Sequence, residues 1–369
     1  MASVQVEGEV APGFEGVRKA FQANFDTGAD VGASVTVTKD GAPVVDIWGG
    51  FADEAGSRPW QRDTIINVYS TTKTMTALVA LLLADKGELD FDAPVARYWP
   101  EFAANGKADV KVSHLMSHSA GLATWKEPLK REDVYDWEKM CALLAAQAPD
   151  WEPGSQPGYH ALTQGYLVGE VIRRIDGRTV GTVFREEIAE PLGADFHIGL
   201  PASEDGRVAD LIPPPVQPMA GESNPPIEVL DTRTRAWRGA EIPAAGGTGN
   251  ARSVALVHMI LANGGEAMGK RFMSEAGVRK ALEPQVEGVD RFLGIPVRYG
   301  MGFGLPGKAA PMPSPNTIYW GGYGGSLALI DMDQRTTIAY VMNKMAPTTT
   351  GDMRGFGVAM SAWEALGLI

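Results

Sequence analysis

Two hairpin-like stretches near opposite ends of the chain constrain its topology more than any other feature. In ASVTVTKDGAPVVDIWGG, Val35 and Val37 alternate with Ser34, Thr36 and Thr38, and Lys39-Asp40-Gly41 supplies the turn. In SLALIDMDQRTTIAYVMN, Asp331 to Gln334 form the turn between two apolar strands. An amphipathic helix from about Gly13 to Asn24 precedes the first hairpin, and another from roughly Met353 to Leu366 follows the second. This arrangement predicts one antiparallel sheet built from both ends and covered by helices, an α/β fold of the α+β type. At 369 residues the chain is long for one core, so two lobes or one large α/β domain are expected.

Between the hairpins, helical patterns dominate from about Ser70 to Arg174. The most apolar is VYSTTKTMTALVALLLADKG, Val68 to Gly87, where Thr74 to Ala84 is apolar almost all round and reads as a helix in the interior. Lys73 stands at its start, one turn after Ser70, so the two side-chain tips can meet. A helix N-terminus adds free N–H groups that suit an oxyanion. A desolvated lysine loses its charge readily and can serve as base for the serine hydroxyl. Against this, Ser-x-x-Lys also arises by chance, and lysine can snorkel from a helix end.

A serine–lysine nucleophile needs a second proton-handling group and a second oxyanion donor. Tyr159, in WEPGSQPGYHALTQGYLVGE, follows a Gly/Pro-rich approach and precedes an amphipathic helix. In YWGGYGGSLALI, Gly321 and Gly322 would let a substrate come close to the backbone. Taken singly, Tyr159 as a core aromatic and the glycines as a bulge are the commoner explanations. The stretch from Ala202 to Ile242 shows no periodicity and holds a Pro-rich loop at about 210–229, either a pocket wall or a solvated connection.

Other patterns are weaker. His114 and His118 are four apart, but HLMSH lacks the glutamate of a metalloprotease helix and no third ligand is evident. Ser117-His118-Ser119-Ala120-Gly121 lacks the first glycine of a nucleophile elbow. Trp48, Trp60, Trp99 and Trp363 read as packing, while Trp125 and Trp151 flank site segments and line an acyl pocket or the core. Cys141, the single cysteine, reads as a small hydrophobe on a helix face. It allows no intrachain disulfide. The N-terminal residues show no basic and apolar signal pattern, and no apolar run is long enough to span a bilayer. A cytoplasmic chain without membrane attachment is expected. The net charge of −12 repels phosphate backbones, which argues against nucleic acid as a partner.

Taken in order, Ser70-Thr71-Thr72-Lys73, Pro153-Gly154 with Tyr159, and Trp320-Gly321-Gly322 resemble the serine β-lactamase and penicillin-binding-protein superfamily. The closest resemblance is to the class C-like family VIII carboxylesterases. It extends through DIWGGFADEAGSRPW, DAPVARYWPEF, LMSHSAGL, PAAGGTGNARS and LGIPVRYGMGFGLP, which are weak individually and specific in this order. The resemblance implies a β-lactamase-like fold, with an α/β lobe of residues 1–69 and 246–369 and a mostly helical lobe of 70–245. It implies Ser70 as acylated nucleophile, Lys73 as its base partner and Tyr159 as proton shuttle. The backbone N–H groups of Ser70 and Tyr323 would form the oxyanion hole. Substrate contacts would come from Trp320, Gly321, Gly322, His160, Trp125 and Trp151, with no metal or cofactor.

Two departures from the family pattern matter. Tyr159-His160-Ala161 lacks the Asn usual in the lactamases, which leaves His160 either a pocket residue or a non-catalytic neighbour. Trp320 stands where penicillin-recognising members have a lysine that can hold a carboxylate. Both favour short-chain esters over penicillins. The alternatives are a β-lactamase or D-amino-acid peptidase using the same residues, and a non-catalytic sensor or scaffold.

Overall fold

The computed structural model describes residues 4–216 and 223–369. Its main sheet has six antiparallel strands: β1 (Glu7–Val10), β2 (Gly32–Lys39) and β3 (Ala42–Gly50) from one end of the chain, and three from the other. Before the latter three comes a separate hairpin of β4 (Val286–Val289) and β5 (Pro296–Tyr299). Then follow β6 (Thr317–Gly321), β7 (Leu327–Asp331) and β8 (Thr336–Met342). The order is β1-β3-β2-β8-β7-β6, so the two ends meet where β2 pairs with β8, from Lys39 opposite Thr336 to Ala33 opposite Met342. The alternation of Val35 and Val37 with Ser34, Thr36 and Thr38 on β2 is held in this register, because a one-residue slip would turn every side chain to the other face.

The main helices are α1 (Glu15–Asp26), α2 (Thr72–Asp85), α3 (Val112–Met116), α4 (Trp137–Ala146), α5 (Thr163–Asp176), α6 (Ala251–Ala262) and α7 (Met353–Ala365). Helices cover both sheet faces. Thr337 and Tyr340 lie three apart on β8 and so point oppositely. Thr337 Oγ1 donates to Ala255 O of α6 at 3.2 Å, while the Tyr340 ring lies beside Gly355 of α7. Every residue of β8 is accordingly buried. Local chemistry sets the helix ends: Asn250 Oδ1 accepts from Ser253 N at 2.9 Å to start α6, and left-handed Gly177 ends α5.

Helix α2 is buried from Thr72 to Leu83 and packs against α5, as its apolar pattern predicts. Ser70 is not on it. It lies in a single 3₁₀ turn, Tyr69–Thr71, immediately before. The pairing of His114 with His118 on one helix face does not form, because α3 stops at Met116 and His118 has a left-handed backbone, φ 57°. The stretch read as irregular contains 3₁₀ turns at Ala202–Arg207 and Val229–Arg233 and the short helix Arg235–Gly239. Of the Pro-rich loop at about 210–229, residues 217–222 lie outside the described residues. Among the described residues, no helix is long and apolar enough to cross a membrane.

Candidate active site

The turn carrying Ser70 is held in an unusual shape. Tyr69 adopts φ 44°, a left-handed conformation that costs a residue with a Cβ about 1–3 kcal/mol. Its ring is wedged between Tyr323 and Trp237, with centroids 5.4 and 6.3 Å away. Neighbouring side chains tie the turn down. Ser326 Oγ donates to Val68 O at 2.9 Å and meets Thr71 Oγ1 at 2.9 Å, while Thr72 Oγ1 donates to Tyr69 O at 2.5 Å. The turn therefore projects Ser70 from a nearly immobile backbone.

Lys73 Nζ lies 3.0 Å from Ser70 Oγ, 2.7 Å from Ala161 O and 3.0 Å from Ala244 O. Burial alone holds its pKa well below the usual lysine value of 10.5. A neutral amine has two hydrogens, and the two carbonyls accept both. Protonated, Lys73 Nζ also donates to Ser70 Oγ; once neutral, its lone pair is left facing the Ser70 hydroxyl, which can then donate to it. On the other side the Tyr159 hydroxyl donates to Ser70 Oγ at 2.5 Å. Burial is the main reason the phenol is pushed up to about 12, so it is protonated at neutral pH. A hydroxyl placed between a neutral amine and a phenol can pass its proton to the amine as its oxygen attacks, with the phenol's proton still available for a departing group.

Tyr159 is boxed by aromatic rings. Trp320, Tyr299 and His118 surround it, with the His118 ring stacked on Trp320 at 5.2 Å. Trp320 Nε1 completes no hydrogen bond among the described residues, yet its N–H is near enough to the phenol to favour the anion. Behind the box His160 is fully buried. Leu122 N donates to its Nε2 at 3.0 Å, so the proton sits on Nδ1 and is donated to Gly158 O at 2.5 Å. Desolvation pushes this imidazole down to about 4. Both nitrogens of His160 are thus engaged by backbone, and the ring is neutral at neutral pH.

The glycines of the Trp320-Gly321-Gly322 segment also meet the protein's own backbone closely. A Cβ on Gly321 would collide with the Thr350 backbone, and one on Gly322 with Val68 O and Ser326 Oγ. Gly322 allows the end of β6 to approach the nucleophile turn, and Gly321 allows it to approach the segment before α7. Gly322 N donates to Ser326 O at 2.8 Å, whereas Tyr323 N has no backbone acceptor among the described residues. Ser70 N occupies the second position of its turn, where an N–H has no intrahelical partner. Both donors are thus available for an oxyanion.

The two remaining aromatic candidates separate. Trp125 packs edge-on against Tyr166 in the main core, and its Nε1 donates to Met140 O at 3.0 Å, so it is core and not pocket lining. Trp151 backs His160 edge-on at 6.0 Å and carries the Arg291 guanidinium on its face. Arg252, a possible stand-in cation, is taken up by Asp46 at 2.7 Å, and Arg298 lies against Pro306 O and Glu287. Cys141 is buried, as its helix pattern predicts. Sequence reasoning missed His118, Tyr299, Ser326 and Asp290. For Asp290 the only available signal was an acid starting a turn, because its contact with Tyr159 spans 131 positions.

The Beta-lactamase family model matches residues 17–359, and the chain belongs to that family. Within it, the esterase/beta-lactamase LipL of Mycobacterium tuberculosis is 36% identical, over 96% of this chain and 87% of that protein. A crystal structure of a family VIII carboxylesterase superposes with a TM-score of 0.93 at 44% identity, covering 98% of this chain and 100% of the other. A penicillin-binding-protein homologue from Caulobacter crescentus superposes with a TM-score of 0.91 at 38% identity, over 98% and 100% of the two chains.

Proposed function

We propose that this protein is a serine carboxylesterase that cleaves short-chain esters through an acyl-enzyme on Ser70. The observation that carries the reading is Ser70 Oγ held 3.0 Å from a lysine amine whose pKa burial depresses and 2.5 Å from a protonated phenol. Lys73 takes the Ser70 proton as Oγ adds to the ester carbonyl. The N–H groups of Ser70 and Tyr323 receive the oxyanion, each such donor being worth about 10²–10³ in rate. Tyr159 gives its proton to the departing alkoxide, and Lys73 returns one to the resulting phenolate. In deacylation the same pair removes a proton from water, and Ser70 recovers its own.

Esters are favoured over β-lactams because Trp320 takes the place of a lysine, and Arg252, one cation that could replace it, is engaged by Asp46. Ser70 is itself only 8% exposed, which favours small acyl groups. The names of the similar proteins, one a family VIII carboxylesterase and one an esterase/beta-lactamase, support the same class. On this reading the site lies at the junction of an α/β lobe, 1–69 and 246–369, and a helical lobe, 70–245. We assign the enzyme to the cytoplasm on its lone, buried cysteine, an assignment that cell fractionation tests.

A serine-directed organophosphonate is expected to add its mass to the peptide holding Ser70, and labelling at Ser119 would refute the mechanism. A comparison of kcat/KM for an aryl butyrate and a chromogenic cephalosporin tests the substrate. Equal values would make the protein a β-lactamase.

A further inference from the structure

Asp290 stands in the turn between β4 and β5, fully buried and in no ion pair among the described residues. Its Oδ1 accepts three backbone N–H bonds, from Tyr159 at 3.1 Å, Phe292 at 2.9 Å and Leu293 at 3.0 Å. Its Oδ2 accepts from the Tyr299 hydroxyl at 3.2 Å. Arg291 N also donates to Pro157 O at 3.1 Å, so the turn grips the segment leading to Tyr159 at two points. A buried carboxylate without a cation is costly, and an apolar side chain could close a turn more cheaply. Two of its four donors belong to its own turn. The other two are the backbone of Tyr159 and the ring system that boxes it.

We propose that Asp290 is a positioning residue: it fixes the backbone from which the Tyr159 phenol reaches Ser70, and so sets how well that phenol protonates a departing alkoxide. This rests on the proton-donor reading of Tyr159. Asp290 acts here through position and not through its charge. Lys73 lies 4.9 Å above the ring, and burial depresses its pKa. His118 and His160 are held neutral by burial, and Tyr299 is pushed up by burial and by Asp290. Among the described residues, Asp290 is the anion acting on the phenol, and because it opposes loss of the phenol's proton its charge alone would weaken the donor.

Leaving groups provide the test. A nitrophenolate departs without help, whereas an alkoxide needs a proton, so a fault in the donor slows alkyl esters selectively. Asp290→Ala is expected to lower kcat/KM, which reports acylation and not the deacylation both butyrates share, about 10²-fold for an alkyl butyrate, with a much smaller loss for the nitrophenyl ester. Asp290→Asn keeps a weaker acceptor at Oδ1 and is expected to lose about tenfold, with the same selectivity. Because it is nearly isosteric, Asp290→Asn serves if Asp290→Ala does not fold, as judged by circular dichroism. Equal losses on both esters in a folded variant would overturn the proposal. Tyr159→Phe is the control: if it lacks the selective loss, the proton-donor reading of Tyr159 has failed instead.

Discussion

At the scale of single residues, Lys73 sets activity against stability. Its amine is buried, its hydrogens go to Ala161 O and Ala244 O, and it makes no ion pair among the described residues. The folded protein therefore holds the lysine neutral at pH values where the unfolded chain, with a pKa near 10.5, binds a proton. The unfolded state then binds more protons, so this residue's contribution to stability rises with pH, up to about 10.5. Lys73→Met removes that penalty. The variant is expected to melt above the wild type at neutral pH, with the gap narrowing as pH rises, and to lose about 10²–10⁴ in kcat. Thermal melts across pH with parallel ester assays check both. A Lys73→Met protein less stable than wild type at neutral pH would show that the lysine is charged in the fold. The same titration predicts that wild-type activity rises with pH through the depressed lysine pKa.

Among elements, the junction of β6 with the nucleophile turn leaves little room for change. A methyl group on Gly322 would collide with Val68 O, which also accepts from Ser326 Oγ and Thr71 N. Gly322→Ala is expected to push β6 away from the turn and displace Tyr323 N from its oxyanion position. The cost should be about 10²-fold in kcat, on nitrophenyl and alkyl esters alike. A variant with wild-type kcat would show that Tyr323 N is not a donor. This junction also marks the limit of what sequence reveals. Strand β2 is legible because its side chains alternate, β7 and β8 because they are apolar runs flanking a turn, and α2 because it is apolar throughout. Ser70, Lys73 and Tyr159 are legible as an ordered motif. Local pattern carries no record of which distant backbone a glycine must admit, so Gly322 reads as open to substrate when it is open to Val68. Trp125 and Trp151 look alike beside site segments, and only tertiary packing sends one to the core. For the same reason α3 reads as reaching His118, although the chain leaves the helix at Met116.

Considered whole, the molecule depends on fastening its two ends together, because half of the main sheet comes from each. Arg354, near the start of α7, is the fastener. It donates to Asp30 Oδ1 at 2.9 Å in the segment before β2, and to Lys344 O at 2.6 Å after β8. It also reaches Gly324 O at 2.7 Å, one residue beyond Tyr323, and Asp352 at 2.5 Å. Asp30 is further held by the Tyr340 hydroxyl, at 2.7 and 2.8 Å from its two oxygens. Burial raises the Asp30 pKa and the Arg354 charge opposes that rise. Arg354→Met would leave a buried carboxylate without its cation, a loss of about 3–5 kcal/mol at neutral pH. The sign of its pH dependence follows. Without the arginine the Asp30 pKa rises further above its unfolded value, so the folded variant binds the extra proton and stability falls as pH climbs through that window. The melting deficit of Arg354→Met should therefore be largest at neutral pH and shrink on acidification. Asp30→Asn in the same chain should recover part of it at neutral pH. A deficit that grew in acid would mean that Asp30 is not the group left exposed to the loss. The carbonyl of Gly324 loses its donor in the same variant, so kcat should fall by a similar factor for alkyl and nitrophenyl esters, the pattern of a disturbed oxyanion loop rather than a displaced Tyr159.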